Sequence, residues 1–112
     1  MQKQHNRTRI MRIYERFGVM IESGEKTIEI RVGYSSMKKI KAGDTIRFLV
    51  GKRSCDRRVV RVSIYASFDE MMKHEDPHKI NPYKSSKDQL DEIKKIFPPD
   101  KERLGVLVFE LA

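Results

Sequence analysis

The spacing of apolar residues changes at Gly24. Before it, from Tyr14 to Ser23, Phe17, Met20 and Ile21 recur at helical spacing, and Gly24 stands where a left-handed C-terminal cap is wanted. After it the period drops to two. Ile28, Ile30 and Val32 fall on one side and Thr27, Glu29 and Arg31 on the other, the pattern of a half-buried strand. The polar side carries an acid and a base together, with Lys26 at the turn where helix becomes strand. Glu29 and Arg31 read either as charges of a solvated strand face or, with Lys26, as groups converging at the mouth of a site.

The rest of the chain follows the same two periods. Residues 1–7 are polar and basic without a period and form a flexible arm; His5, within it, reads as an exposed titratable group without a role. Thr8 to Met11 makes a short strand with Ile10 buried, and Gly18 weakens the middle of the helix after it. Gly33 to Ala42 is a loop. Thr45 to Val50 turns Ile46, Phe48 and Val50 inward and Arg47 outward, and Cys55 to Tyr65 returns as the second strand of a hairpin. There Val60, Val62 and Ile64 share an apolar face, opposite Val59, Arg61, Ser63 and Tyr65. Ser67 and Glu70 make a capping box for a helix with Phe68, Met71 and Met72 inward, ending by Pro77. Ile80 to Lys84 connects to a second helix, capped by Ser86 with Gln89 and carrying Leu90, Ile93 and Phe97 up to Pro98. Leu104 to Leu111 is apolar on both faces and therefore central.

This order predicts a single α+β domain over residues 8–112: a small, mostly antiparallel β-barrel with helices packed on the outside. Its core combines Ile28, Ile30, Ile46, Phe48, Val60, Val62, Leu107 and Phe109, joined by Phe17, Met20, Phe68, Leu90 and Phe97 from the helices. At 112 residues the chain suffices for one core and not for two.

Gly24, Lys26, Glu29 and Arg31 fill a Gly-x-Lys-x-x-Glu-x-Arg signature, and Gly43-Asp44 opens the apolar strand after a variable loop. Tyr65-Ala-Ser67-Phe68 and the closing Gly105-Val-Leu-Val-Phe-Glu110 add two further matches. Together these pieces resemble the ASCH domain family, of the PUA-like β-barrel superfamily, across almost the whole chain. The resemblance implies binding of RNA or a modified nucleotide in a cleft between barrel and helices, lined by Lys26, Glu29 and Arg31. It speaks for fold more firmly than for function.

The same resemblance brings an enzymatic alternative. One branch of ASCH-like proteins comprises small amidohydrolases that deacetylate N4-acetylcytidine with a lysine, a threonine and a glutamate. Lys26 falls on the lysine position, but Glu29 stands where the threonine belongs, and Glu75 is offset from the remaining acid. A lysine nucleophile must be neutral, and an adjoining carboxylate favours its charged form. Other ASCH-like proteins are linked to RNA cleavage, for which the trio can position and stabilise charge although no histidine pair is evident as acid and base. For an enzyme the catalytic candidates are Lys26 and Glu29. A protein-interaction module is a third class, marked by an exposed apolar patch.

Charge narrows the choice of partner. Lys and Arg number 24 against 16 Asp and Glu, a net +8 with His neutral, which suits a polyanion and above all nucleic acid, although a membrane surface or general solubility gives the same sum. Tyr34 beside Lys38, Lys39 and Lys41 offers stacking plus charge, or is a solvated loop with one anchoring tyrosine. Lys52, Arg53, Arg57 and Arg58 make a basic hairpin tip, suited to phosphate contact or to guarding a sheet edge. The candidate RNA-binding residues are therefore Lys26, Glu29 and Arg31 in the cleft, Tyr34 and Lys38 on the loop, and Arg57, Arg58, Arg61 and Ser67 beyond it. No apolar run approaches the roughly 20 residues that span a bilayer, and the N-terminus lacks a signal-peptide core, so a cytoplasmic protein without a membrane partner is expected. Cys55 is alone. Pro77 separates His74 from His78, and no metal or other cofactor is expected.

Overall fold

The computed structural model describes residues 6–112. The expected flexible arm, His5 included, lies mostly outside that range. Arg7 lies inside it, and its N–H donates to Asp44 Oδ1 at 3.0 Å while its carbonyl accepts from Thr45.

Five strands form one sheet in the order β1-β3-β4-β5-β2: β1 (Thr8–Arg12), β2 (Ile28–Val32), β3 (Thr45–Val50), β4 (Arg53–Tyr65) and β5 (Val106–Leu111). Among the described residues there are six helices: α1 (Glu15–Ser23), α2 (Ser35–Lys38), α3 (Phe68–His74), α4 (Pro77–Ile80), α5 (Ser86–Ile96) and α6 (Pro99–Glu102). The α+β class is as predicted. The mostly antiparallel closed barrel is not, because the sheet curls only into a half-barrel and leaves β1 and β2 as unpaired edges. β1 also runs parallel to β3, its neighbour. The chain between them contains α1 and β2, a connection long enough for the crossover that a parallel pair requires.

The single predicted core is two cores, one on each face of the sheet. Ile30 stands opposite Val108, so Ile28, Ile30 and Val32 share a face with Val106 and Val108, covered by Phe68, Met71, Ile80 and Ile93. Ile46, Phe48 and Val50 meet Leu107, Phe109 and Leu111 on the other face, with Met11 and Ile21 over them. β5 lies between β4 and β2, as its doubly apolar pattern implied.

Three inward assignments fail: Ile64, opposite Leu107, keeps the face of Val62 but is 70% exposed, and Val60 and Ile10 fail for identifiable reasons. A β-bulge between Val59 and Arg61 lets Val59 and Val62 face the same core, which turns Val60 outward. On the edge strand β1 it is Met11, opposite Phe48, that is buried, while Ile10 is exposed. Gly18 has a packing role within α1: a Cβ there would lie 2.7 Å from Val50, so the missing side chain lets the helix sit down on β3.

Candidate functional site

Gly24 ends α1 in the left-handed conformation, and the Lys26 N–H reaches back to Met20 O at 3.0 Å. This closure turns the chain under the helix and delivers Lys26 to the edge of β2 that no strand covers. Lys26 is buried there. Its Nζ donates to Ile28 O at 2.7 Å and Ile80 O at 3.0 Å, and lies 3.4 Å from Glu29 Oε1. An ammonium has three protons, so all are engaged, and the side chain acts as a strut between β2 and α4. Burial pushes the Lys26 pKa down, against the opposing pull of Glu29. The adjoining carboxylate is therefore the lesser influence, contrary to the argument from sequence. A neutral amine would nevertheless leave one of the three acceptors without a proton.

Glu29 and Arg31 point away from Ile28 and Ile30, as the alternation predicts, but their side of the strand is not solvent. Glu29 is only 5% exposed. Burial alone would raise its pKa; Arg31 first, then Lys26 and the Ile30 N–H, outweigh it and hold the carboxyl below its usual value. Arg31 Nε and Nη2 lie 2.9 and 2.7 Å from Glu29 Oε2, and Nη2 also donates to Arg12 O of β1 at 2.7 Å. One guanidinium thus spans the seam between the two edge strands.

A cavity of about 380 Å³ opens along this seam. Arg12, Lys26, Glu29 and Arg31 supply charge, Tyr14, Phe17, Ile93, Ile96 and Phe97 supply apolar walls, and Asn81, Gln89 and Glu92 add polar groups. Several valences of the lining remain open among the described residues, the buried Gln89 Oε1 among them. Glu29 Oε1 has only the 3.4 Å ion pair with Lys26 and keeps acceptor capacity, and Arg31 Nη1 has no partner. The lining therefore combines acceptors, donors and aromatic rings.

Asn81, Gln89 and Glu92 were missed in the sequence. The helix cap is Ser85, which accepts from Asp88 N at 3.1 Å, in place of Ser86 with Gln89. Gln89 Nε2 instead shares its two protons among Pro77 O, Asn81 O and Lys84 O at 2.9, 2.9 and 3.0 Å and holds the turn between α4 and α5. The signal was its position four residues before Ile93, on the same helix face.

None of Tyr34, Lys38, Arg57, Arg58, Arg61 and Ser67 lines the cavity. Tyr34 precedes α2 with Lys101 Nζ 5.6 Å from its ring centre, and Lys38 is exposed nearby. Arg57 Nη2 donates to Ile21 O and Glu22 O, and Arg53 grips the Glu22 carboxylate, so the hairpin tip is fastened to the C-terminus of α1. Arg58 is exposed opposite Thr45. Arg61 bonds Glu75, Glu110 and Ser63. Ser67 Oγ caps α3 by accepting from Glu70 N at 3.0 Å, while Glu102 takes the Phe68 N–H. Glu75 also lies outside the cavity lining, and His74 stacks on Tyr65. Among the described residues no three His, Cys, Asp or Glu side chains are placed to hold a metal, and no helix is long and apolar enough to cross a membrane.

The sequence matches the ASCH domain family over residues 11–110, and the chain belongs to that family. Its open sheet is a PUA-like half-barrel. Solved structures share the fold, these three among them. Hypothetical protein PH0355 is 27% identical with a TM-score of 0.82, over 94% of this chain and 96% of that one. Protein PF0455 from Pyrococcus furiosus is 30% identical with a TM-score of 0.73, over 93% and 94%. An ASCH protein from Zymomonas mobilis is 12% identical with a TM-score of 0.67, over 94% of this chain and 66% of that one, and speaks for fold alone. No curated protein matches the chain.

Proposed function

We propose that this ASCH domain binds RNA by holding one base, or a modified nucleotide, in the seam cavity. The observation that carries the reading is that Glu29, with acceptor capacity left on Oε1, and Arg31, with Nη1 unpartnered among the described residues, line one cavity with Tyr14, Phe17 and Phe97. Nucleobases present donors and acceptors side by side on their edges and a flat face for stacking. Ionised Glu29 favours a ligand that brings a donor, and fixed Arg31 favours one that also brings an acceptor. Arg12, on the cavity lining, and the net charge of +8 suit the phosphates that accompany a base.

Fluorescence-anisotropy titration with labelled single-stranded RNA tests the reading. Log affinity should fall with log salt by about 0.7 per phosphate neutralised. Arg31→Ala should weaken binding by about 1–3 kcal/mol, the scale of a lost charge-assisted hydrogen bond, with the fold checked by circular dichroism. Failure to bind at low ionic strength, or binding indifferent to salt, defeats it. Incubation with N4-acetylcytidine should release no cytidine, since all three Lys26 protons are engaged.

A further inference from the structure

Beside the cavity lies a recess of about 240 Å³ that shares the walls Phe17, Asn81 and Glu92 with it. Its other walls are Arg16, Met20, Tyr83 and Lys84. On the shared wall a single carboxylate oxygen serves two cations: Glu92 Oε2 lies 2.7 Å from Lys84 Nζ and 3.7 Å from Arg16 Nη2. The cluster carries a net positive charge, and the side chains of Arg16 and Lys84 are 56% and 41% exposed, open to an anion. Arg16 is oriented as well as charged, its guanidinium carbon lying 4.7 and 4.5 Å from the ring centres of Tyr14 and Phe17. Tyr83 is 69% exposed, with its backbone N–H on Asn81 Oδ1 and its hydroxyl on Glu25, so an aromatic ring is anchored at the recess but largely uncovered.

Arg16 and Lys84 stand on the recess side of the shared Glu92, so a cation pair flanks the boundary between an aromatic-walled cavity and a recess with an uncovered ring. We propose that the recess is a second base subsite, with Tyr83 as its stacking surface, and that Arg16 and Lys84 hold the intervening phosphate. The ligand is then a single-stranded segment of at least two nucleotides. This rests on the reading that the main cavity holds a base.

The test is an NMR titration of the protein with the four ribonucleosides and the sixteen dinucleoside monophosphates. A dinucleoside monophosphate containing a bound nucleoside should bind about tenfold tighter than that nucleoside, the scale of one base–aromatic stack. Its affinity should fall with salt by the roughly 0.7 slope of one phosphate, while nucleoside affinity should not. Tyr83→Ala and Lys84→Gln should each remove most of the gain and leave nucleoside affinity unchanged, since neither residue lines the main cavity. Equal affinities for nucleoside and dinucleoside monophosphate, or a gain untouched by both substitutions, would overturn the second subsite and leave the one-base reading standing. No binding of any probe, nor of longer single-stranded RNA, would overturn both.

Discussion

On β2, Arg31 grips one oxygen of Glu29 and a carbonyl of the opposite edge strand; on β4, Arg61 grips both oxygens of Glu75, one of Glu110 and the Ser63 hydroxyl. Tyr65 OH completes the second cluster by donating to Glu75 at 2.5 Å. Hydrogen bonding from Arg61 holds the Glu75 carboxyl low, and the bond to Glu75 pushes the Tyr65 hydroxyl up. That network has few valences left and braces the end of α3 against the sheet. The Arg31 network is assembled where the half-barrel fails to close, so some of its valences meet a cavity in place of another protein group. Similar residues on one sheet become a brace or the lining of a cavity according to whether the neighbouring strand is present.

The largest expected effect sharpens this contrast at Lys26. Lys26→Ala leaves Glu29 buried with one cation fewer and strips two carbonyls of their donor, so it should cost about 3–5 kcal/mol of stability by chemical denaturation. A cost below about 1 kcal/mol would remove the strut and make Lys26 an ordinary cavity residue. A smaller effect concerns acid. Glu29 and Glu75 both titrate below their usual 4.5 in the folded chain, so the stability they contribute is fully present above that value and is lost as pH falls through the folded pKa. Unfolding free energy measured against pH should therefore be level above the usual carboxylate range and decline below it. Glu29→Gln and Glu75→Gln should each flatten the decline; if only Glu75→Gln did, Glu29 would not be held ionised by its neighbours.

How much of this was legible depended on how local the determining physics is. Gly24, the alternation of β2 and the bounds of β3 are set by neighbours within a few residues and were read correctly. The two-sided core was not, because alternation tells which residues share a face of one strand and not which face of the next strand they join; Ile30 meets Val108, on the face opposite Phe48. The bulge at Val59 has no local marker, since either register of Val59-Val60 looks apolar. Lys26, Glu29 and Arg31, which the motif names, fall together on the cavity lining. The arginines of the hairpin tip looked like a free patch because their partners, Glu22 and the carbonyls of α1, lie more than thirty residues away. Gln89 was taken for a cap because capping is local, whereas its three carbonyl partners are brought to it by the turn after α4.

The central claim is that the seam at Arg31 receives the ligand and the brace at Arg61 does not. The most direct test is a titration of the isotopically labelled protein with single-stranded RNA, following the arginine Nε–Hε signals assigned to these two residues. The account predicts that the Arg31 signal and the backbone amides of Ile30, Ile93 and Phe97 shift together and saturably, while the Arg61 signal stays in place. Movement at Arg61 or along the hairpin tip, with Arg31 and the seam amides unmoved, would contradict it.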